Sequence, residues 1–275
     1  MSAYSTWTAD DAAGFIAVPR ASDDKYSRGV LGIVTGSDDY PGAAVLGVDA
    51  ALHTGVGMVR YLGPARPAGL VLARRPEAVT AAGRVQAWLL GSGMTAEHRD
   101  DETASALSRA LATGHPAVLD AGALELVSSA TGPVVVTPHY GELARLLHTD
   151  LAEVAAEPGT WALRAADSLG VTVLLKGHLT HIAGPGGSFA VEAPTTWLAT
   201  AGTGDALGGI LGALVATHAG EIAADIGVLA RLAATASVIH GLAAEYASGG
   251  GAFTVLELCA AVPAVVADLL RRKAG

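Results

Sequence analysis

Asp205 stands alone among small residues in Ala201-Gly202-Thr203-Gly204-Asp205, directly ahead of an apolar stretch running from Ala206 to Ala216. That stretch is apolar nearly all round and interrupted only by glycines, which predicts a buried helix. A loop of small residues at the mouth of such a helix offers unpaired N–H groups and the positive end of the helix dipole to an anion. The aspartate is then either a helix cap or a proton acceptor beside a bound phosphate. Capping alone does not account for four consecutive small residues. Two further groups stand out. Lys176, in "LKGHLT" (175–180), ends an apolar run and precedes Gly177, whereas a lysine at a turn is ordinarily solvated. His139, in "TPHYGE" (137–142), follows a strand-like run and a proline turn, where a neutral imidazole can hydrogen-bond a ligand. His53, His115, His148, His218 and His240 have no metal-ligand spacing and read as structural. The single thiol, Cys259, has no catalytic partner in sequence.

These residues need a scaffold, and the chain supplies a repeating one. Apolar strand-like runs at 30–35, 58–62, 87–93 (running into a glycine loop), 117–120, 134–142 (a strand, a proline turn, then a helix) and 171–177 alternate with helical patterns at 43–53, 102–113 and 161–169. Residues 180–192 predict a hairpin around Gly184-Pro185-Gly186-Gly187, three helical segments follow, and Thr254-Val255-Leu256-Glu257 is a capping-box pattern. Such alternation predicts a mostly parallel sheet covered on both faces, with ligands beyond the carboxyl ends of the strands. Residues 36–43, 91–93, 120, 137–142 and 176–180 fall at that edge.

The bulk numbers fit one well-packed domain. The chain has 275 residues, 51% of them hydrophobic and 16% charged, with a mean hydropathy of +0.42. A net charge of −9 argues against nucleic-acid binding. No apolar run of membrane-spanning length and no leader pattern is evident, and a lone cysteine suits a reducing compartment, so the expected setting is cytoplasmic, without membrane association. Residues 1–25 do not fit the repeat and read as an N-terminal extension. Homo-oligomerisation is expected from the apolar, helical C-terminal third.

"GSGMTA" (91–96) matches a G-x-G-x-x-A dinucleotide fingerprint after a strand. Against that reading, Glu97, Asp100, Asp101 and Glu102 would repel a pyrophosphate.

In order and spacing, "GIVTGSDDYPGAAVLGVDAALHTGVGMVRYLGP" (32–64), the Gly91/Gly93 loop, "AVLDAGAL" (117–124), "TPHYGELARLL" (137–147), "VLLKGHLTHIAGPGG" (173–187) and "WLATAGTGDALGGILGALVA" (197–216) resemble the ADP/ATP-dependent NAD(P)H-hydrate dehydratases. These belong to the ribokinase-like superfamily. The resemblance implies an α/β fold of three layers, α/β/α, around a mostly parallel sheet. It also implies an enzyme that restores hydrated NADH and NADPH (NADHX and NADPHX, S epimer) with ADP as co-substrate and Mg²⁺ as cofactor. By the same resemblance Asp205 would be the base, and the amides of Gly202, Thr203 and Gly204 would hold the transferring phosphoryl group. Lys176, Gly177, His178, Leu179, Thr180 and Gly204 would line the AMP portion of the nucleotide. Ala43, Gly93, His139 and Asp205 would contact the hydrated dinucleotide. A homotetramer and a functional link to a separate epimerase, for which this chain is too short, are implied too. The chain departs from the family pattern at Gly122, where many members carry a second aspartate, at Tyr140 in place of proline, and in "APTTWLAT" (193–200) before the loop. The alternative within the superfamily is a kinase of a small alcohol or vitamin precursor; outside catalysis it is a degenerate nucleotide-binding regulator.

Overall fold

The computed structural model describes residues 4–96 and 99–274. Its strands are β1 (Ser5–Thr6), β2 (Val30–Val34), β3 (Met58–Tyr61), β4 (Ala87–Leu90), β5 (Ala117–Leu119), β6 (Val134–Val136), β7 (Thr172–Leu175), β8 (Leu179–Gly184) and β9 (Gly187–Glu192). They form one sheet in the order β1-β9-β8-β7-β6-β5-β4-β2-β3. β7/β8 and β8/β9 are antiparallel and every other pairing is parallel. The helices are α1 (Ala9–Ala13), α2 (Pro41–Thr54), α3 (Ala65–Arg74), α4 (Asp101–Leu111), α5 (Tyr140–Leu146), α6 (Leu151–Ala156), α7 (Pro158–Leu169), α8 (Thr203–Thr217), α9 (Ala219–Ala224), α10 (Val228–Ser248) and α11 (Val255–Ala274).

Successive strand side chains point to opposite faces, so each strand feeds two cores. Leu31, Ile33, Leu89, Val118, Val135 and Leu174 face α2, α8, α10 and α11. Val30, Val34, Leu90, Leu119, Val136 and Val173 face α4, α5 and α7. The result is the expected three-layer α/β/α arrangement. Strands β2 to β7 begin within one residue of the expected runs but end slightly short of them, and Gly55 and Gly170 close α2 and α7 in the left-handed conformation. The hairpin forms between β8 and β9, and Thr254 with Glu257 completes the capping box at the start of α11. The first 25 residues are less separate than the sequence suggests. β1 extends the sheet by pairing with β9, and Ala12 and Ala13 are buried against the main core.

Glycines let α2 and α8 approach closely. A β-carbon on Gly209 would stand 2.2 Å from the Gly47 carbonyl oxygen of α2, so no side chain fits there. Gly208 and Gly212 of the same helix rest on Leu89 and Leu31 of the sheet. Twelve of the 15 residues of α8 are buried, because the helix is walled by the sheet below and by α2 and α10 beside it. α10 is the one described helix that is long and apolar enough to cross a membrane, a length the sequence reading did not assign to any run. In its most apolar window 83% is buried inside the fold, where that apolarity is consumed. The apolar C-terminal third is thus largely an internal core, and its composition no longer argues for a subunit interface.

Gly209→Ala is expected to lower stability by about 1–3 kcal/mol through overpacking. Gly69→Ala, in the exposed interior of α3 with open space around it, is expected to raise stability by roughly 0.5–1 kcal/mol. Urea unfolding of both variants against wild type checks the pair.

Candidate active site

The residues that could do chemistry gather at the carboxyl edge of β4 to β7, facing the N-terminus of α8. Asp120 follows β5 and is buried. One of its oxygens accepts from Lys176 Nζ at 2.8 Å and from Thr137 Oγ1 at 2.9 Å. The other accepts from Ser92 Oγ at 3.0 Å. The chain reaches this arrangement by parallel pairing: the Lys176 N–H donates to the Pro138 carbonyl at 2.8 Å, carrying the β6–β7 ladder one step past the strands. Lys176 Nζ also lies 3.7 Å from Glu142 Oε2, and its side chain is 21% exposed. Lys176 is therefore no solvated turn lysine. Burial works against its charge, but Asp120 and Glu142 outweigh that and raise its proton affinity. For Asp120, burial favours the neutral form, yet Lys176 and the hydroxyls of Thr137 and Ser92 prevail and hold it ionised.

Asp205 is set up in the opposite sense. It is the third residue of α8, whose cap position is Gly202 in the left-handed conformation at φ 94°. Its carboxylate makes no capping hydrogen bond, so the cap reading fails. Asp205 is half-buried, has no salt bridge or hydrogen-bond partner among the described residues, and lies near both Asp120 and Lys176. Burial pushes its carboxyl up to about 7; Asp120 adds to this and Lys176 opposes it. Two neighbouring carboxyls, one firmly ionised and one poised near neutrality, make a division of labour suited to acid–base work.

The helix mouth beside Asp205 is open to an anion. The first helical turn closes from the Ala206 N–H to the Gly202 carbonyl, and the Thr203 N–H meets the Thr200 carbonyl at 3.3 Å. The N–H groups of Gly204 and Asp205 have no acceptor among the described residues. A β-carbon on Gly204 would stand 3.6 Å from Lys176 Nζ, so a side chain there would fill the gap between ammonium and helix mouth.

A cavity of about 710 Å³ opens onto this point, walled by Lys176, Gly177, His178, Thr180, Gly204 and His240 among others. Leu179, alone in the 176–180 segment, is not on its wall: it pairs with Glu192 in the hairpin and is exposed. His139 reaches the cavity from the other side, but as the cap of α5. Its Nδ1 accepts the Glu142 N–H at 3.1 Å, and Glu142 Oε2 accepts the His139 N–H at 2.7 Å, a capping box with an unusual first residue. Its Nε2 lies 3.6 Å from Glu142 Oε1, so both ring nitrogens face the same glutamate. Ala43 and Gly93 lie apart from His139. A β-carbon on Gly93 would stand 2.4 Å from that of Ala43, and Gly93 adopts φ 67°. This contact flanks a second cavity of about 600 Å³ lined by residues 36–40, Met94, Arg66, Arg99 and Arg109. Of the four candidate substrate contacts, His139 lines the first cavity and Asp205 follows its wall residue Gly204, whereas Ala43 and Gly93 sit behind the wall of the second.

The dinucleotide fingerprint at 91–96 fails on geometry. The next helix, α4, starts only at Asp101, and its N-terminus is already occupied by Asp100, which accepts the Thr103 N–H at 2.7 Å. Glu97 lies outside the described residues. Gly122, where a carboxylate is common in the family, abuts the backbone of Met94: a β-carbon would stand 2.7 Å from the Met94 carbonyl oxygen.

Sequence reasoning missed His240 as a site residue. It is buried on α10, on the cavity wall, with Nε2 2.9 Å from the Thr203 carbonyl oxygen. Thirty-seven residues separate the two partners, and no local pattern could signal the contact. Cys259 is buried, which pushes its thiol up to about 12 and removes it as a nucleophile. Among the described residues no group of three His, Cys, Asp or Glu side chains could hold a metal ion. The residues present thus do not form a Mg²⁺ cage, and a magnesium ion here would have to be carried by ligand phosphates and water.

Known proteins resemble this chain over most of its length. The family profile for NAD(P)H-hydrate dehydratase matches residues 31–261. The bifunctional NAD(P)H-hydrate repair enzyme Nnr of Mycobacterium tuberculosis is 45% identical over 235 residues, covering 78% of this chain and 47% of that protein. The chain spans about half the length of such bifunctional relatives. The ADP-dependent (S)-NAD(P)H-hydrate dehydratase of Neisseria meningitidis serogroup B is 36% identical over 217 residues, covering 72% of this chain and 73% of that protein. The crystal structure of the ADP/ATP-dependent NAD(P)H-hydrate dehydratase of Bacillus subtilis, co-crystallised with ATP/Mg²⁺, superposes with a TM-score of 0.81 at 25% identity, over 96% of this chain and 98% of that one. With a matched profile across most of its length, this ribokinase-like fold and these relatives, the chain belongs to the NAD(P)H-hydrate dehydratase family.

Proposed function

We propose that this protein dehydrates the S epimer of hydrated NADH or NADPH, consuming ADP and releasing AMP and phosphate. The observation that carries the reading is the unpartnered Asp205 carboxyl beside the free amides of α8 and the Lys176 ammonium. In this reading the ring hydroxyl attacks the β-phosphorus of ADP and its proton passes to Asp205. The bond from that phosphorus to AMP breaks. Charge on the transferring group is met by the Gly204 and Asp205 N–H groups and the α8 dipole, with Gly202 and Thr203 shaping the turn. The phosphate then leaves the ring carbon as a neighbouring ring proton is lost, restoring the reduced dinucleotide. Lys176, Gly177, His178 and Thr180 hold the nucleotide, while Ala43, Gly93 and His139 contact the substrate. The described residues form no cage for Mg²⁺, which would be held by the nucleotide phosphates and would supply charge neutralisation there. The same reading includes a homotetramer in the cytoplasm and a functional link to an epimerase that interconverts the hydrate epimers. Incubating the protein with NADPH hydrate and ADP, and watching the reduced-nicotinamide absorbance return, tests it. No recovery with ADP or ATP, alongside phosphorylation of a small alcohol, would instead favour the kinase reading.

Asp205→Asn is expected to lose more than about 10²-fold in turnover while still binding nucleotide. In the wild type, kcat/KM should fall about tenfold per pH unit below a midpoint near 7, as the base protonates. Stability has the opposite sign. The folded carboxyl holds its proton more tightly than the unfolded one, so stability falls as pH rises from about 4 to about 7 and then levels off. Asp205→Asn should therefore melt above wild type at pH 8, with the gap closing toward pH 4. Lys176→Ala should weaken ADP binding at least tenfold, by loss of a charge-assisted contact worth about 1.5–3 kcal/mol. It should also destabilise the fold by leaving Asp120 buried and unpaired, and adding Asp120→Asn should restore stability without restoring affinity. Steady-state rates at matched magnesium should favour ADP over ATP, because a nucleotide held by its AMP portion would present the β-phosphorus and not the γ-phosphorus to the helix mouth, and an ångström of misplacement costs on the order of 100-fold.

A further inference from the structure

His240 has no part in the chemistry described above, yet it is aimed at the peptide that matters most. Its Nε2 lies 2.9 Å from the Thr203 carbonyl oxygen. That carbonyl belongs to the same peptide unit as the Gly204 N–H, one of the two free donors at the helix mouth. The oxygen is an acceptor only, so Nε2 bears the proton and donates. Burial, together with the nearby Lys176 charge, pushes the imidazole down to about 4, against the pull of the Thr203 carbonyl, so the ring is a neutral donor throughout the working range.

The surrounding bonds single out this peptide. The Thr203 hydroxyl lies 2.9 Å from both the Leu198 and the Thr200 carbonyl oxygens, which fixes the residue to the loop before the helix. Within α8 the Thr203 carbonyl already accepts the Leu207 N–H as part of the helix ladder. The imidazole is thus a second donor to an oxygen that does not need one for helix formation. A hydrogen bond to a peptide carbonyl polarises the whole amide, and its N–H becomes a stronger donor. In a partly dry site such an effect on an anion-facing N–H is larger than in water.

We propose that His240 is a positioning residue that orients and polarises the Thr203–Gly204 peptide, strengthening the Gly204 N–H as the donor to the anion bound at the mouth of α8. This rests on the phosphoryl-transfer reading of the site, which makes the bound anion the β-phosphate of ADP. His240 acts through Gly204 and not on the reacting atoms. Its contribution therefore belongs to the β-phosphate and the transition state, and not to the adenosine part of the nucleotide.

The test compares wild type, His240→Leu and His240→Gln. Leucine keeps apolar bulk without a donor, and the helix ladder still satisfies the Thr203 carbonyl; glutamine keeps an N–H. Calorimetric affinities for AMP and ADP separate the adenosine contacts from the β-phosphate. The leucine variant should keep AMP affinity within about twofold while the ADP-over-AMP ratio falls on the order of tenfold, and kcat should fall at least as much as KM rises. Glutamine should recover part of both. An unchanged ADP-over-AMP ratio in the leucine variant overturns the proposal, as does parallel loss of AMP and ADP, which would make His240 a wall residue only. Should His240→Leu fail to fold, a ratio in His240→Gln below that of the wild type, with AMP affinity kept, supports the proposal, and an unaltered ratio overturns it. Failure of the wild type to restore NADPH hydrate would remove the repair reading, whereas the affinity ratio would still decide the role of His240.

Discussion

The ion pair between Asp120 and Lys176 is the constraint on which the site depends. It ties the end of β5 to the end of β7 across β6, with the hydroxyls of Thr137 and Ser92 donating to the same carboxylate. A buried pair of this kind gains little net stability, because desolvation consumes most of the Coulomb attraction. Its effect is positional. It holds the ammonium in reach of Glu142 and of the α8 mouth, and it keeps a fixed negative charge near Asp205. That charge, added to burial, is what lifts Asp205 toward neutrality. The cation that would attract a phosphate and the carboxyl that would take a proton are thus tuned by one buried aspartate.

The glycines around Asp205 divide into two tasks. Gly208, Gly209 and Gly212 bring α8 onto α2 and the sheet, and their absence of side chains is a packing requirement. Gly202 turns the chain into the helix through a left-handed conformation, and Gly204 leaves the space before Lys176 open. Close packing of the helix body gives the mouth a rigid support, which is what a preorganised anion site needs. The cost is an unpaired, half-buried carboxyl, a local sacrifice of stability of the kind that functional sites carry.

Much of this was legible in the residues themselves. The βα alternation located the sheet and its ligand edge, and the small-residue loop before an apolar helix located Asp205. Local patterns failed where the deciding contact is distant in sequence. Asp120 and Lys176 are 56 residues apart, and His240 and Thr203 are 37 apart. His139 is the cap of α5 as well as a cavity residue, a role the Glu142 three residues on could have signalled although histidine is an unusual cap. The apolar C-terminal third suggested an exposed interface because hydropathy cannot separate an internal helix layer from a surface one, and α10 proved to be the former. The short β1 and α1 carry too few residues for any periodicity to register.

The most direct test is the titration of Asp205 itself. Carboxyl-labelled aspartate, observed by NMR in the ligand-free protein and assigned with Asp205→Asn, should show one resonance with a midpoint near 7 and Asp120 ionised well below the usual carboxylate range. A midpoint for Asp205 near the ordinary value of about 4 would contradict the account, because the site would then hold a solvated surface carboxylate and not a poised base.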